Sequence, residues 1–89
     1  MEKHIHQEQV LKAAANRRRI AILAYLKSHT TSTVTDIAEA IQLSVQTTSK
    51  HLQILRSAGI VIDRRRGMSV SYRISLAQDE ILKPLLRSL

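Results

Sequence analysis

The side chains best suited to recognise another molecule are concentrated in residues 44–53. They are amides, hydroxyls and one ammonium group, carried by Ser44, Gln46, Thr47, Ser49, Lys50 and Gln53. Such groups hydrogen-bond the edges of bases and the oxygens of phosphates, and none of them is an obvious catalytic group. The stretch therefore indicates binding, with nucleic acid as the chemically matched partner.

A group of basic residues follows this stretch, the arginines Arg64, Arg65 and Arg66. The chain has a net charge of +7, and residues 44–73 contain Asp63 as their only acid. Positive charge gathered beside hydrogen-bonding side chains suits a polyanion. A merely basic surface is the alternative for the charge alone, but the position of the charge beside the 44–53 stretch favours a nucleic acid.

The 44–53 stretch belongs to a predicted helix that runs from Ser44 to Ala58. Ser44 is a suitable N-cap, since its hydroxyl can accept a hydrogen bond from a free backbone N–H of the first turn. A helical spacing of three and four residues places one set on the face toward the core: Val45, Thr48, Leu52 and Leu55. Gly59 follows the last turn, where glycine commonly ends a helix.

The flanking residues predict a winged helix-turn-helix. Upstream, Thr35 is a suitable N-cap for a short helix, and a turn at 42–43 joins this helix to the next. We also assign a DNA contact to Thr35. Downstream, the β-branched residues 60–62 and the alternating Val70, Tyr72 and Ile74 predict a hairpin that turns at Gly67. The arginines of residues 64–66 would lie near its tip.

The remaining segments complete a single domain, residues 1–89. Residues 1–15 predict a first helix, and Asn16 predicts the cap of a second that runs to about Ser28. Residues 29–34 predict a loop or a short edge strand. The fold class is mainly α with a β-hairpin wing, in all about five helices and two to three short strands.

The two ends of the chain predict a homodimer, with the alternative that the leucine-rich end covers the core of its own protomer. Ser75 followed by Gln78 has the spacing of a capping box and predicts a last helix from residue 75, which Pro84 should bend or restart. The apolar residues of the first and last helices exceed what so small a domain covers well. We assign to the dimer interface Ile5, Val10, Leu11, Ile81, Leu82, Leu85, Leu86 and Leu89.

Several classes of site and protein are disfavoured. The chain has no cysteine, and its two glycines are both accounted for by turns, so no thiolate site, glycine-rich loop or plausible carboxylate pair indicates an enzyme. His4 and His6 would diverge on a helix, so we interpret them as exposed histidines rather than metal ligands. We expect no cofactor, no metal and no membrane segment, and a cytoplasmic location.

Residues 11–74 resemble the ArsR/SmtB family of winged-helix repressors. The resemblance is carried by LKAAANRRRIAIL, by VTDIAEAIQLSVQTTSKHLQILRSAGIV and by RRRGMSVSYRI. It implies a homodimer paired through its first and last helices, with the 44–58 helix in the major groove and the 60–74 hairpin on the flanking backbone. His51 matches a family position, but we interpret it as a partly buried core histidine.

The sequence departs from the metal-sensing members of that family. Their cysteine pair falls on Thr33 and Thr35, which are poor ligands for soft metals. The resemblance is therefore extended to the fold, the dimer and DNA binding, and no metal effector is expected. Two alternatives remain open, a winged-helix module that binds another protein and a DNA-binding protein of replication or plasmid maintenance.

Overall fold

The computed structural model describes all 89 residues as five helices and a small antiparallel sheet. The helices are α1 (Glu2–Ala14), α2 (Arg17–His29), α3 (Val34–Ile41), α4 (Val45–Ser57) and α5 (Lys83–Ser88). The strands are β1 (Ser32–Thr33), β2 (Val61–Arg66) and β3 (Ser69–Ile74). The predicted winged helix-turn-helix, with its five helices and two to three strands, is confirmed. None of the helices is long and apolar enough to cross a membrane.

The sheet has the strand order β1-β3-β2, and every pair is antiparallel. The two-residue turn Gly67–Met68 joins β2 to β3, and Gly67 has a φ of 58°. This φ lies in the left-handed region that glycine adopts without a steric penalty. Because the register pairs Asp63 with Tyr72 and Val61 with Ile74, it fixes which hairpin side chains face the core.

The core lies where α1, α2, α3 and α4 meet the inner face of the sheet. Its fully buried side chains include Ile22 and Leu23 of α2, Ile37 of α3, and Leu52 and Leu55 of α4. In α2 and α4 the buried residues recur at helical spacing, as Ile22 and Leu26 do, so each of these helices contributes an apolar stripe to a common interior. The outward side of α4 is thereby left free.

The N-caps explain where α2 and α3 begin. Asn16 caps α2 as predicted, since its Oδ1 accepts the backbone N–H groups of Arg18 and Arg19 at 2.9 and 3.1 Å. The predicted cap of α3 is wrong, because Thr33 rather than Thr35 accepts the N–H of Asp36, at 3.2 Å. Thr33 is the last residue of the edge strand β1, and its extended backbone is the conformation that an N-cap needs.

The last helix begins at Lys83 and not at Ser75, so the predicted capping box does not form. The N–H of Ser75 donates to the carbonyl of Ile60, and the Gln78 amide donates to the same carbonyl. The Ser75 N–H and the Gln78 amide are thus engaged with the residue before β2, and the Ser75 hydroxyl accepts the N–H of Ala77 rather than that of Gln78. Pro84 lies in the first turn of α5, the position that proline tolerates best.

Two residues predicted for the dimer interface lie inside the protomer. Val10 and Leu82 are each 1% exposed and belong to the hydrophobic core. They cannot meet a partner without unfolding, because the protomer's own side chains cover them. Of the other predicted interface residues, Ile5 and Leu11 are exposed, and the rest pack half-buried against the core: Ile81, Leu85, Leu86 and Leu89.

Candidate nucleic-acid interface

A tight turn between α3 and α4 positions the candidate interface. Gln42 has a φ of 58°, and its N–H donates to the carbonyls of Ala38 and Glu39. Ser44 then caps α4 as predicted, accepting the N–H of Thr47 at 3.1 Å. At the other end, Gly59 has a φ of 76° and the N–H of Ile60 donates to the carbonyl of Leu55. Both ends of α4 are therefore fixed by local hydrogen bonds.

The two sides of α4 differ as the sequence predicts. Thr48, Leu52 and Leu55 are fully buried. The outward polar residues are exposed or, for Ser49, half-buried: Gln46, Thr47, Ser49, Lys50 and Gln53. Gln53 lies in the third turn, where it lines a groove with Gln9 and Lys12 of α1 rather than joining the others. The first two turns thus present a compact polar surface.

The side-chain hydroxyls of Ser44 and Thr47 form a hydrogen bond with each other. Ser44 Oγ donates to Thr47 Oγ1 at 2.9 Å while it accepts the backbone N–H of Thr47. The Ser44 hydroxyl is thereby committed to the cap. The Thr47 hydroxyl proton stays available to an outside acceptor, because Thr47 only accepts in this pair.

Val45 is the exception to the predicted inner face of α4, since 48% of it is exposed. It occupies the first helical position, beyond the end of the buried stripe that Thr48, Leu52 and Leu55 form. There it lines a notch whose other side is the turn end of the hairpin, Met68, Ser69 and Val70. Sequence periodicity gives the direction of a side chain but not how far the core extends along the helix.

The same notch unites α3, α4 and the hairpin. Its lining includes Thr35 at the start of α3 and Ser49 in α4, opposite Ser69 and Val70 of β3. Thr35 is exposed, and its hydroxyl has no capping role. The structure therefore brings two of the predicted contact residues, Thr35 of α3 and Ser49 of α4, beside the tip of the wing.

The wing arginines carry unpaired charge. Asp63 pairs with Arg56 at 2.9 Å, so the only acid of the hairpin is neutralised from α4. All three arginines of residues 64–66 are exposed, and none takes part in an ion pair. Their surplus positive charge is available to phosphate groups.

The register separates these arginines by face. Arg65 lies opposite Val70, whereas its two neighbours lie opposite Ser71 and Ser69. Since side chains of a strand alternate, Arg65 shares the face of Val70 and the buried Tyr72, which is the face toward the helices. Burial is the main cause that raises the pKa of the Tyr72 phenol, and the negative charge of Asp63 on the same face raises it further.

Arg19 has a role that sequence analysis missed. Arg19 donates from Nε to the carbonyl of Ala13 at 2.6 Å. A second nitrogen reaches the Lys12 carbonyl at 3.4 Å. A cation at the free carbonyls that end a helix is stabilising, so Arg19 joins α1 to α2. Arg17 and Arg18 are exposed.

The other side of Arg19 reaches α4 through His51. Arg19 Nη1 lies 3.2 Å from Nδ1 of His51, which must accept because the guanidinium only donates. His51 is half-buried, which confirms its interpretation as a partly buried core histidine. Burial, followed by the charges of Arg19 and Arg18, lowers the pKa of this imidazole.

No cluster of three or more histidine, cysteine, aspartate or glutamate side chains could hold a metal ion. His6 Nε2 lies 3.5 Å from Asp79 Oδ2, which is a pair and not a ligand set. His4 and His6 both lie in α1. The Thr33 hydroxyl is engaged as the cap of α3.

Comparison with known proteins agrees with this geometry. A family model described as a helix-turn-helix domain matches residues 14–64. The transcriptional activator HlyU of Vibrio cholerae is 36% identical over 90 residues, which cover 100% of this chain and 82% of that protein. The transcriptional repressor SdpR of Bacillus subtilis is 36% identical over 74 residues, 81% of each protein.

Some relatives are longer. The arsenical resistance operon repressor of Escherichia coli is 34% identical over 67 residues, 75% of this chain. The match covers 57% of that repressor, so the chain spans little more than half its length.

Solved structures show the same fold. The homodimeric winged helix-turn-helix DNA-binding domain of Mb0332 from Mycobacterium bovis has a TM-score of 0.83 and 34% identity, over 98% of this chain and 77% of that one. HlyU has a TM-score of 0.81 and 31% identity, over 99% of this chain and 92% of that one. The chain belongs to the ArsR/SmtB family of winged helix-turn-helix transcriptional regulators.

Proposed function

We propose that this protein is a sequence-specific regulator of transcription that binds double-stranded DNA. In this proposal the first two turns of α4 enter the major groove and the hairpin follows the flanking backbone. The observation that carries it is the notch, where polar residues of α3 and α4 adjoin a wing with three exposed arginines that form no ion pair. A recognition helix beside a cationic wing suits base edges and phosphates together.

The residues divide into two groups by chemistry. Gln46 can pair with adenine, Lys50 with guanine or a phosphate, and the hydroxyls of Thr35, Thr47 and Ser49 with either. The arginines of residues 64–66 would bind phosphates or an adjacent minor groove. Ser44 supports this surface as a cap, and Gln53, one turn further along, is a peripheral contact.

A homodimer is the proposed assembly. Ile5 and Leu11 leave an apolar surface on α1, with exposed fractions of 50% and 55%. The residues of 81–89 that pack half-buried on the core would extend this surface toward a second copy. The solved Mb0332 domain, which is described as homodimeric, supports the same state here. Two copies would place two recognition helices on one duplex, which suits a two-fold symmetric DNA site.

Repression in the cytoplasm is the proposed outcome of binding, without an enzymatic activity and without a transition-metal effector. Thr33 and Thr35 offer hydroxyls where soft metals need thiolates. If calorimetry found a tight zinc or nickel site that weakened DNA binding, this part would be wrong, and His4 and His6 would be tested first. One relative is an activator and another a repressor, so a promoter-reporter assay decides the sign.

The proposal is tested by selecting bound sequences from random duplexes. We expect a two-fold symmetric site whose affinity falls steeply with salt, because bound phosphates release counterions. Scrambled duplexes should bind more weakly at every salt concentration. A protein that bound no duplex in a salt-dependent manner would instead be a module for binding other proteins.

A further inference from the structure

Val45 is the large apolar residue that the first two turns of α4 expose. Its neighbours on this surface, Gln46, Thr47 and Lys50, are polar. The cap at Ser44 fixes the backbone on which Val45 stands. A β-branched side chain in a helix also has essentially one χ1 rotamer. Val45 is thus a rigid methyl-bearing group in the part of the helix that meets base edges.

The surroundings of Val45 form an open notch of about 480 Å³. Its lining is half apolar, with Val34, Val45, Met68 and Val70 beside four hydroxyl-bearing side chains. The apolar half can receive a small methyl group, and the hydroxyls can hydrogen-bond the polar atoms around it. Thymine offers this combination in the major groove, where its C5-methyl group stands beside the O4 acceptor.

The charge around the notch favours a nucleic acid over an apolar protein segment. The register places Arg65 opposite Val70 and Arg66 opposite Ser69, two residues that line the notch. Lys50 follows the notch residue Ser49 in α4 and is exposed. None of these three cations has an acidic partner within the protein. An occupant of the notch would lie among unpaired positive charges, which suits bases bordered by phosphates.

We propose that Val45 recognises the C5-methyl group of a thymine in each half of the DNA site. The inference rests on the proposed function, and it assigns to an apolar residue a part of the base recognition that the polar residues of α4 cannot perform. Gln46 follows Val45 and can pair with adenine, whose N6 and N7 lie on the major-groove edge. Together these adjacent residues favour A·T pairs beside the notch.

The test removes the methyl group alone. Each thymine of the selected duplex is replaced in turn by uracil, which keeps every hydrogen-bonding group. For the wild type we expect one position in each half-site at which uracil weakens binding about fourfold, equivalent to about 0.8 kcal/mol for one buried carbon. For Val45→Ala the affinity for the thymine duplex divided by that for the uracil duplex should fall to about one at that position, because the contact with the methyl group is lost.

Ile54→Val is the matched control, because it removes a methyl group from a side chain of the same helix that is 43% exposed and lies outside the first two turns. It should retain the uracil effect, and unchanged binding of scrambled duplex shows that each variant is folded. If the wild type ignores uracil, or if the effect persists in Val45→Ala, the inference is wrong while the proposed function stands. If the wild type prefers no duplex at all, both are wrong.

Discussion

The outward side of α4 and the β2–β3 hairpin are neighbours, but they present different kinds of side chain. The first two turns of α4 present short side chains on a helix whose cap and end are hydrogen-bonded. The hairpin presents three long cationic side chains on a two-stranded ribbon, and its only acid is paired elsewhere. Short groups at fixed positions suit base edges, whereas long flexible cations suit a phosphate backbone that is alike in every sequence.

This difference predicts that the two regions contribute separate properties. The helix should supply preference among sequences, and the hairpin should supply affinity that depends on salt. Arg65, on the face toward the helices, and its two neighbours on the outer face would bind the backbone from both sides of the ribbon. Changes that weaken either region should therefore be distinguishable by sequence and salt.

The largest effect on DNA affinity is expected from dissociating the proposed dimer, because each protomer then binds DNA with only one helix and one hairpin. Leu11→Glu should dissociate the proposed dimer, because it places a charge in an apolar contact. Losing a linked second site typically lowers affinity by about 10²–10⁴. Light scattering measures the assembly and a duplex titration measures the affinity.

Met68→Glu is the control for the assembly, since Met68 is exposed and lies on the wing. It should leave the protein dimeric. Leu82→Glu is unsuitable, because Leu82 is a core residue and its substitution should unfold the protomer. A wild type that is monomeric at concentrations of roughly 10 µM, in the range of ordinary dimer constants, would refute the proposed dimer.

The next largest effect on DNA affinity is expected from substitutions in the hairpin alone. Replacing all three arginines of residues 64–66 by alanine should weaken specific and scrambled duplexes by similar factors. The slope of log affinity against log salt should fall by about 0.9 for each phosphate that the hairpin no longer binds. Replacement by lysine keeps the charges and should keep most of the slope. A slope that stays unchanged with alanine would mean that other residues bind the phosphates.

A smaller effect concerns the rigidity of the helix. Ser44→Ala removes the cap of α4 and should lower the free energy of unfolding by about 1 kcal/mol. Ser75→Ala is the matched control, because Ser75 accepts one N–H in a turn but caps no helix. Its effect should be within about 0.5 kcal/mol. Urea unfolding measures both, and equal losses would mean that Ser44 does not act as a cap.

The smallest effect depends on pH. The native pKa of His51 lies below its ordinary value of 6.5, so the folded protein binds fewer protons than the unfolded one. Its contribution to stability is complete above pH 6.5 and is lost as the pH falls from there toward the native pKa. Protonation would also set two cations against each other at Arg19.

His51→Asn tests this by keeping an acceptor for Arg19 without a titration. Urea midpoints are compared at about pH 7.5 and about pH 5.5, where the linkage acts. We expect the wild type to lose more stability than the variant over this interval. An equal loss in both proteins would show that other groups carry the pH dependence.

Much of the recognition unit could be predicted because its signals are local. Ser44, Gly59 and the spacing of the buried residues between them fix α4 without help from distant residues. The alternation in β3 likewise predicts the buried Tyr72. Wherever a residue's own neighbours satisfy its backbone, the sequence predicts the element.

The misplaced cap of α3 is a local error, since Thr33 accepts the N–H of Asp36 only three residues further on. The other errors arise where distant residues decide. The Ile60 carbonyl accepts hydrogen bonds from the Ser75 N–H and from the Gln78 amide, and no local sequence pattern predicts this contact. Val10 and Leu82 have the periodicity of an interface, but the protomer core encloses them. Val45 has the periodicity of the core, but the core ends before it reaches the first turn. Periodicity assigns a face, and tertiary packing assigns what covers it.

The most direct test of the central claim is a paired titration of Gln46→Ala and Arg65→Ala on specific and scrambled duplexes over a salt series. Gln46→Ala should cost about 1–3 kcal/mol on the specific duplex and relax base preference at one position in each half-site. Arg65→Ala should weaken all duplexes alike and reduce the salt slope by about one. If Arg65→Ala changed the base preference while Gln46→Ala left it intact, α4 would not be the recognition element and the proposed docking would be wrong.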